Sequence, residues 1–285
     1  MEIDMRQKRV ATIQDISCFG KCSLTVALPL ISAMGIETAI IPTAVLSTHT
    51  GGFENFTFRD LTEDIPDIAN HWKSQNIGFD VIYTGYLGSF KQIEYISNFI
   101  DSFKTKENTV IIDPAMGDDG SLYTGFTPEF ALAMSGLLKK ADVVVPNLTE
   151  AAFMLNEPYV ESGYDEEYVK NILKRLTALG AKNAILTGVS YTPDKTGVVC
   201  YSAETDEFDS YFTDKIGGSY PGTGDVYASV CAGAVARGMS LIDAASLAAD
   251  YVCECIKETL DDSDHWYGVK FENTIPYLVE RLKSE

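Results

Sequence analysis

The feature that most constrains this chain is a repeating rhythm: a short β-branched-rich run, a turn, then an amphipathic stretch. Strands are expected at Val10–Ile16, Thr38–Leu46, Phe79–Thr84, Thr109–Asp113, Asp142–Pro146 and Asn183–Thr187. The apolar spacing between them predicts helices over Ser23–Met34, Leu61–Ser74, Ser89–Phe103, Pro128–Lys139 and Glu166–Leu179. Capping signals support several boundaries: Ser89-x-x-Gln92, Thr127 followed by Pro128 at the first helical position, and Gly35 as a stop. Pro29 predicts a kink or a late start in the first helix. Short apolar strands alternating with helices call for a parallel sheet covered on both faces.

The rhythm changes after Thr187. Gly197–Tyr201 and Glu207–Phe212 flank the turn-like Ala203–Asp206, so an antiparallel hairpin is expected to extend one sheet edge. Helices return at Thr223–Arg237, Leu241–Lys257 (opened by Ser240-x-x-Asp243) and Asn273–Lys283. With no repeat, low-complexity tract or long linker, residues 1–285 read as one α/β domain.

Charge narrows the partners. Lys plus Arg number 22 against 41 Asp plus Glu, a formal charge of −19. Such a surface repels phosphate backbones, which argues against nucleic acid and against anionic membrane faces. The charged start Met1–Arg9 lacks the apolar core of a secretory signal, and no apolar run is long enough to span a bilayer. Cys18/Cys22 and Cys253/Cys255 lack zinc-site spacing, so the six cysteines read as reduced packing residues of a cytoplasmic protein.

In an open parallel sheet, ligands sit beyond the carboxyl ends of the strands. The polar residues there are Asp15 and Ser17, Thr48-His49-Thr50, Gly85-Tyr86, Asp113, Asn147 and Thr187-Gly188. The strongest local signal is Gly217-Gly-Ser-Tyr-Pro-Gly222-Thr-Gly-Asp225, where a glycine turn runs straight into a helix rich in Ala, Ser and Gly. Converging N–H groups and the positive helix end make an anion hole, and Asp225 in the first turn is placed as a base beside it. The alternative is an ordinary glycine N-cap with an acidic first-turn residue. No Gly-Lys-Ser/Thr follows, so this is not a Walker A loop, nor is it a dinucleotide fingerprint.

Taken in order, Ile13-Gln14 with Gly20, His49-Thr50, Thr84-Gly-Tyr-Leu-Gly-Ser89, Asp113-Pro-Ala-Met-Gly-Asp118, Pro146-Asn147 with Glu150, Thr187 and Gly222-Thr-Gly-Asp225 resemble the ribokinase superfamily. Within it, they resemble the pyridoxal/pyridoxamine/pyridoxine kinases. The resemblance runs from Ile13 to about Glu258 and implies transfer of the γ-phosphoryl group of ATP to a 5′-hydroxymethyl group. Asp225 would take the hydroxyl proton, and the backbone of Gly222, Thr223 and Gly224 would hold the phosphoryl group. Asp113 and Glu150 would lie near Mg2+ and the phosphates. Asp118, Tyr123, Asn147, Thr187 and Gly188 would lie on the nucleotide side, and Thr50 and Tyr86 on the pyridine. A homodimer and a monovalent cation belong to the same set of implications. His49 is expected to shape the pocket rather than to move protons, and His71 to be structural.

The sequence departs from that pattern where the family's substrate-binding Ser is replaced by Asp15, with Ser17 two residues on, and where Cys22-Ser23 replaces Gly-Asn. Asp15 could contact the substrate at a protonated ring nitrogen or an amine, Ser17 could substitute for the missing Ser, or Asp15 could be a solvated strand-end acid. Hydroxymethylpyrimidine (phosphate) kinase is the nearest rival; that branch typically carries Cys where Asp225 stands. A non-catalytic binder of the same fold would not need Asp225, Asp113 and Glu150 together. The Asp261–Asp264 run reads as a solvated loop, and Lys215 as a surface lysine within reach of the glycine turn.

Overall fold

The computed structural model describes residues 6–283; Met1–Met5, the beginning of the charged start, and residues 284–285 lie outside the described residues. The first half comprises β1 (Arg9–Ser17), α1 (Leu24–Ala33), β2 (Glu37–Leu46), β3 (Phe58–Asp60), α2 (Asp64–Ser74), β4 (Val81–Thr84), α3 (Phe90–Phe103) and β5 (Thr109–Ile112). A miniature hairpin, β6 (Gly117–Asp118) and β7 (Ser121–Leu122), precedes α4 (Pro128–Ser135), which ends in a 3-10 turn over Gly136–Lys140. Then come β8 (Val143–Val144), α5 (Leu148–Leu155), α6 (Glu166–Ala178), β9 (Asn183–Val189), β10 (Lys195–Ser202) and β11 (Glu207–Asp214). Three helices close the chain: α7 (Thr223–Ala236), α8 (Leu241–Thr259) and α9 (Phe271–Arg281).

Nine strands form one sheet in the order β11-β10-β9-β8-β5-β4-β1-β2-β3. The six from β9 to β2 are parallel, as the rhythm predicts, and the β10–β11 hairpin extends one edge antiparallel. The other edge carries β3, antiparallel to β2, which the pattern did not announce because its three residues are all exposed. The central strands are apolar on both faces. Ile13, Ile82 and Ile112 pack with α2 to α6, while Val10, Tyr83 and Ile111 pack with α1, α7, α8 and α9.

Three local expectations change. α1 starts at Leu24 and runs through Pro29, because Leu24, Val26, Ala27, Leu30 and Ile31 are buried and their packing outweighs the proline's cost. The Asp261–Asp264 run is not merely solvated: Asp262 accepts the Asp264 N–H at 3.1 Å and pairs with Lys270 at 2.6 Å, fixing a short 3-10 turn. Of the cysteines, only Cys200, Cys231 and Cys255 are core; Cys18 is exposed, because it lies in the loop leaving β1. His71 is exposed on α2. Among the described residues no helix is long and apolar enough to cross a membrane.

β1 pairs with β2 on one side and with β4 on the other. The chain therefore reverses its direction of winding at β1, and the carboxyl ends of β1 and β4 open a crevice there.

Candidate active site

A cleft of about 550 Å³ runs along that edge of the sheet, and the residues given a catalytic, substrate, nucleotide or metal role border it, whereas Thr48 and Gly85, also named at the strand ends, do not. Lys215 does not border it and is exposed, its backbone N–H bonded to Asp194.

At one end, Gly222 caps α7 with φ of 80°, and the Gly222 carbonyl accepts the Val226 N–H at 3.0 Å. No side chain caps this helix, so the N–H groups of its first turn remain available to an anion. Asp225 stands in that turn. The Ser23 N–H and the Cys22 thiol are its donors, but burial and the charge of Asp15 prevail and push its carboxyl up to about 7.

Asp15 sits where β1 and β2 slip register: Gln14 pairs with Pro42 and Ile16 with Val45, so Asp15 faces two β2 residues. It is buried rather than solvated, which removes the strand-end reading, because the loop to α1 folds back over it. Ser17 Oγ donates to one of its oxygens at 2.9 Å and Ser23 Oγ to the other at 2.5 Å. Burial raises its pKa, and the two hydroxyls partly offset this. Ser17 is thus a partner of Asp15 rather than its replacement.

His49 uses both ring nitrogens within the protein. Nε2 lies 2.8 Å from the Tyr267 carbonyl, and Nδ1 accepts the Gly51 N–H at 3.1 Å. That pattern requires the neutral ring with the proton on Nε2, and burial lowers its pKa accordingly. Tyr86 lies against Phe126 with ring centroids 5.4 Å apart, and burial with the charges of Asp15 and Asp60 pushes its phenol up to about 12. Thr50 borders the same end, half-buried.

Two acids define the middle. Asp113 follows β5, and burial with the charges of Glu150 and Asp225 raises its pKa far above the carboxylate range. Glu150 occupies the first turn of α5, where Asn147 forms a capping box with it. Its two oxygens accept the Met116 N–H at 3.1 Å and the Asn147 N–H at 2.9 Å, yet burial raises its pKa to about 7.

Beyond them, Asn147 and Thr187 bridge the ends of β8 and β9, and Asn147 Nδ2 donates to the Gly117 carbonyl at 2.9 Å. Gly188 leaves open space beside the bridge. Asp118 and Tyr123 stand at the rim, both partly solvated. Val198, Ala249, Val252 and Ile256 add an apolar wall, with Cys253 of α8 on it rather than in the core, because β11 presents Thr213 Oγ1 to its thiol at 3.2 Å.

The wall, Cys22 and Ser23 were not among the sequence candidates. The spacing of Ala249, Val252, Cys253 and Ile256 marks one helix face but not what it faces. Among the described residues lining the cleft there are five carboxylates, Asp15, Asp113, Asp118, Glu150 and Asp225, and no Lys or Arg.

Comparison with known proteins identifies the family and the fold. The family model for phosphomethylpyrimidine kinase matches residues 28–269. Pyridoxine kinase of Bacillus subtilis is 30% identical over 263 residues, covering 89% of this chain and 85% of its own. A Bacteroides thetaiotaomicron structure described as a phosphomethylpyrimidine kinase, in a crystal form with pyridoxal, has a TM-score of 0.91 at 38% identity and covers 96% of each chain. Pyridoxal kinase from Lactobacillus plantarum has a TM-score of 0.88 at 30% identity, covering 98% of this chain and 99% of its own. The chain belongs to the phosphomethylpyrimidine kinase family, in the company of pyridoxal and pyridoxine kinases of ribokinase-like fold.

Proposed function

We propose that this protein transfers the γ-phosphoryl group of ATP to the 5′-hydroxymethyl group of pyridoxal, pyridoxamine or pyridoxine. The observation that carries the reading is Asp225, in the first turn of α7 behind Gly222 and Gly224, with a pKa near neutrality. A base whose pKa lies near the working pH is the best placed to take a hydroxyl proton. As the hydroxyl oxygen bonds to phosphorus and ADP leaves, Asp225 receives the proton. The first-turn N–H groups of α7 stabilise the charge passing between oxygens, and positioning supplies the rest.

Asp113 and Glu150 suit Mg2+: both are hard oxygen donors, buried together, and each gains from a nearby cation. Among the described residues no three His, Cys, Asp or Glu side chains converge as a metal site. That fits an ion drawing most of its ligands from phosphates and water. Bound there, it would neutralise charge on the transferred group. Asp118, Tyr123, Asn147, Thr187 and Gly188 would hold the nucleotide, and the α8 wall would receive its base. His49, Thr50, Tyr86, Asp15 and Ser17 would form the substrate end. A monovalent cation near the phosphates, a homodimer, a cytoplasmic setting and a single domain over the whole chain complete the reading, all on the likeness to these kinases.

The description of the family model makes hydroxymethylpyrimidine the second substrate to test. ADP release, coupled to a reporter and followed with pyridoxal, pyridoxamine, pyridoxine and hydroxymethylpyrimidine in the presence of Mg2+, decides between them. Turnover is expected with the pyridines, and none with any of the four on folded protein would end the kinase reading.

A further inference from the structure

The five carboxylates of the cleft fall into two groups. Asp113 and Glu150 raise one another's charge cost, with Asp118 beside them, and a metal ion with its phosphates accounts for these three. Asp15 and Asp225 stand at the other end: the charge of Asp15 acts on Asp225, and also on His49, Tyr86 and Cys22, while Asp225 links this end to Asp113. His49 is neutral, its nitrogens bonded to Tyr267 and Gly51, and among the described residues lining the cleft there is no Lys or Arg. Among the described residues, the substrate end therefore holds two buried acids and no protein cation.

Burial raises the pKa of Asp15, and two hydroxyls oppose that by favouring its ionised form. A hydroxyl has one proton to give, and Ser17 and Ser23 each give theirs to a different oxygen of Asp15. Both oxygens are thus engaged as acceptors, which is the work of a carboxylate. Ser23 holds this position at a backbone cost: its φ of 55° and ψ of −132° lie where L-residues are strained. Although it stands at the N-cap of α1, its side chain does not cap the helix and turns to Asp15 instead. From the same strained residue, the backbone N–H points to Asp225. One residue thus registers both acids against each other. A buried carboxylate with only neutral donors retains an uncompensated charge, which a cation brought by the ligand relieves.

We propose that Asp15 is a specificity-determining residue that selects a substrate bearing a nitrogen cation, so that pyridoxamine, with its protonated aminomethyl group, is preferred over pyridoxal and pyridoxine. Ser23 is the positioning residue that aims Asp15 at that nitrogen while holding Asp225 at the hydroxyl. The inference rests on the kinase reading and names the substrate class within it. The asymmetry of the site supplies its physical basis: the acids at the metal end are matched by an ion, and those at the substrate end only by what the substrate carries.

The test is a ratio. kcat/KM is measured for pyridoxamine and pyridoxine with the wild type, Asp15→Asn, Asp15→Ser and Ser23→Gly. Binding of the two vitamers without nucleotide is measured alongside by calorimetry, and melting curves establish that each variant is folded. The wild type is expected to prefer pyridoxamine by tenfold or more. Asp15→Asn and Asp15→Ser should each erase that preference, by weakening pyridoxamine binding more than pyridoxine binding. Ser23→Gly keeps the backbone conformation at lower strain but removes the hydroxyl, and should erode the preference with a smaller loss in kcat for pyridoxine. A wild type without preference, or a preference that survives in both folded Asp15 variants, overturns the inference even though turnover continues. Absence of turnover with every vitamer would instead strike the kinase reading itself.

Discussion

Asn147 and Glu150 hold each other across the first turn of α5: the Glu150 N–H donates to Asn147 Oδ1 at 2.8 Å, and the Asn147 N–H donates to Glu150 Oε2 at 2.9 Å. The box ties an acid of the site to the backbone between β8 and α5. With Oε1 also taken by the Met116 N–H, Glu150 has its orientation fixed before any ligand arrives.

Replacing Asn147 with Ala removes one side of this cap and the bond to the Gly117 carbonyl. Loss of an N-cap acceptor costs about 1 kcal/mol, so the melting temperature should fall by a few degrees. Glu150 loses its registration as well, so Mg2+·ATP affinity should drop about tenfold, measured by calorimetry. A lower melting temperature with unchanged affinity would make the box purely structural.

The same box shows where the sequence was legible and where it was not. Asn147-x-x-Glu150 before the apolar run Ala151–Leu155 is a helix-start signature. Read only as ligand residues, the two left α5 unassigned between β8 and α6. The parallel core was legible because strands buried on both faces are apolar throughout, as in β4 and β5. β3 and the β6–β7 hairpin were not, since short exposed strands leave no periodicity. Asp15 and Ser17 of β1, Asp113 after β5, Asn147 after β8, Thr187 and Gly188 of β9 and Asp225 in the first turn of α7 meet at the cleft because they stand at or just past the carboxyl ends of strands, or at a helix start facing them. Ser23 stood out only as half of the Cys22-Ser23 departure from the family pattern; its role was not legible, because it depends on a positive φ and on a contact with Asp15 eight residues away.

Asp225→Asn should lower kcat by several orders of magnitude while nucleotide binding stays within about threefold, because the amide keeps the shape but takes no proton. In the wild type the base must be ionised, so the rate should rise with pH through the value near 7. The groups facing Asp225 include Asp15 from β1, Cys22 and Ser23 from the loop before α1, Asp113 from the end of β5, and the phenols of Tyr83 of β4 and Tyr123 after β7. Asp15→Asn, by removing the neighbouring charge, should move that limb to lower pH. A limb that stays in place would separate the two acids.

Gly222 and Gly224 should respond differently to alanine. A Cβ on Gly222 would fall 1.6 Å from the Lys21 carbonyl oxygen, at a φ of 80° that already disfavours it. A Cβ on Gly224 meets no atom within 4 Å beyond the backbone of its own turn and its chain neighbours, and extends an ordinary helical turn. Gly222→Ala is therefore expected to depress the melting temperature and displace the loop before α1, with loss of activity following. Gly224→Ala should melt like the wild type and still lose activity, since its methyl group would occupy the space offered to the phosphoryl group. Equal stability in both variants would contradict the close approach of Lys21 to Gly222.

Stability should depend on pH in a direction set by the cleft. Asp225 and Glu150 are both raised to about 7, and Asp15 and Asp113 are raised as well. An unfolded chain releases these protons near pH 4, so between pH 4 and pH 7 the folded protein binds more protons than the unfolded one. The associated stability is complete below about pH 4 and is lost as pH climbs through about 7. Asp60, Asp80 and Asp142 are lowered instead, so their contribution is present above about pH 4 and is lost only in more acidic solution. The unliganded protein should accordingly melt at lower temperature at pH 8 than at pH 5.5. Mg2+·ATP brings positive charge to Asp113 and Glu150, so it should raise the melting temperature more at pH 8 than at pH 5.5, beyond what the change in ATP ionisation produces with a control kinase. A flat profile without ligand, on protein that unfolds reversibly, would mean that these carboxylates are already compensated in the free enzyme.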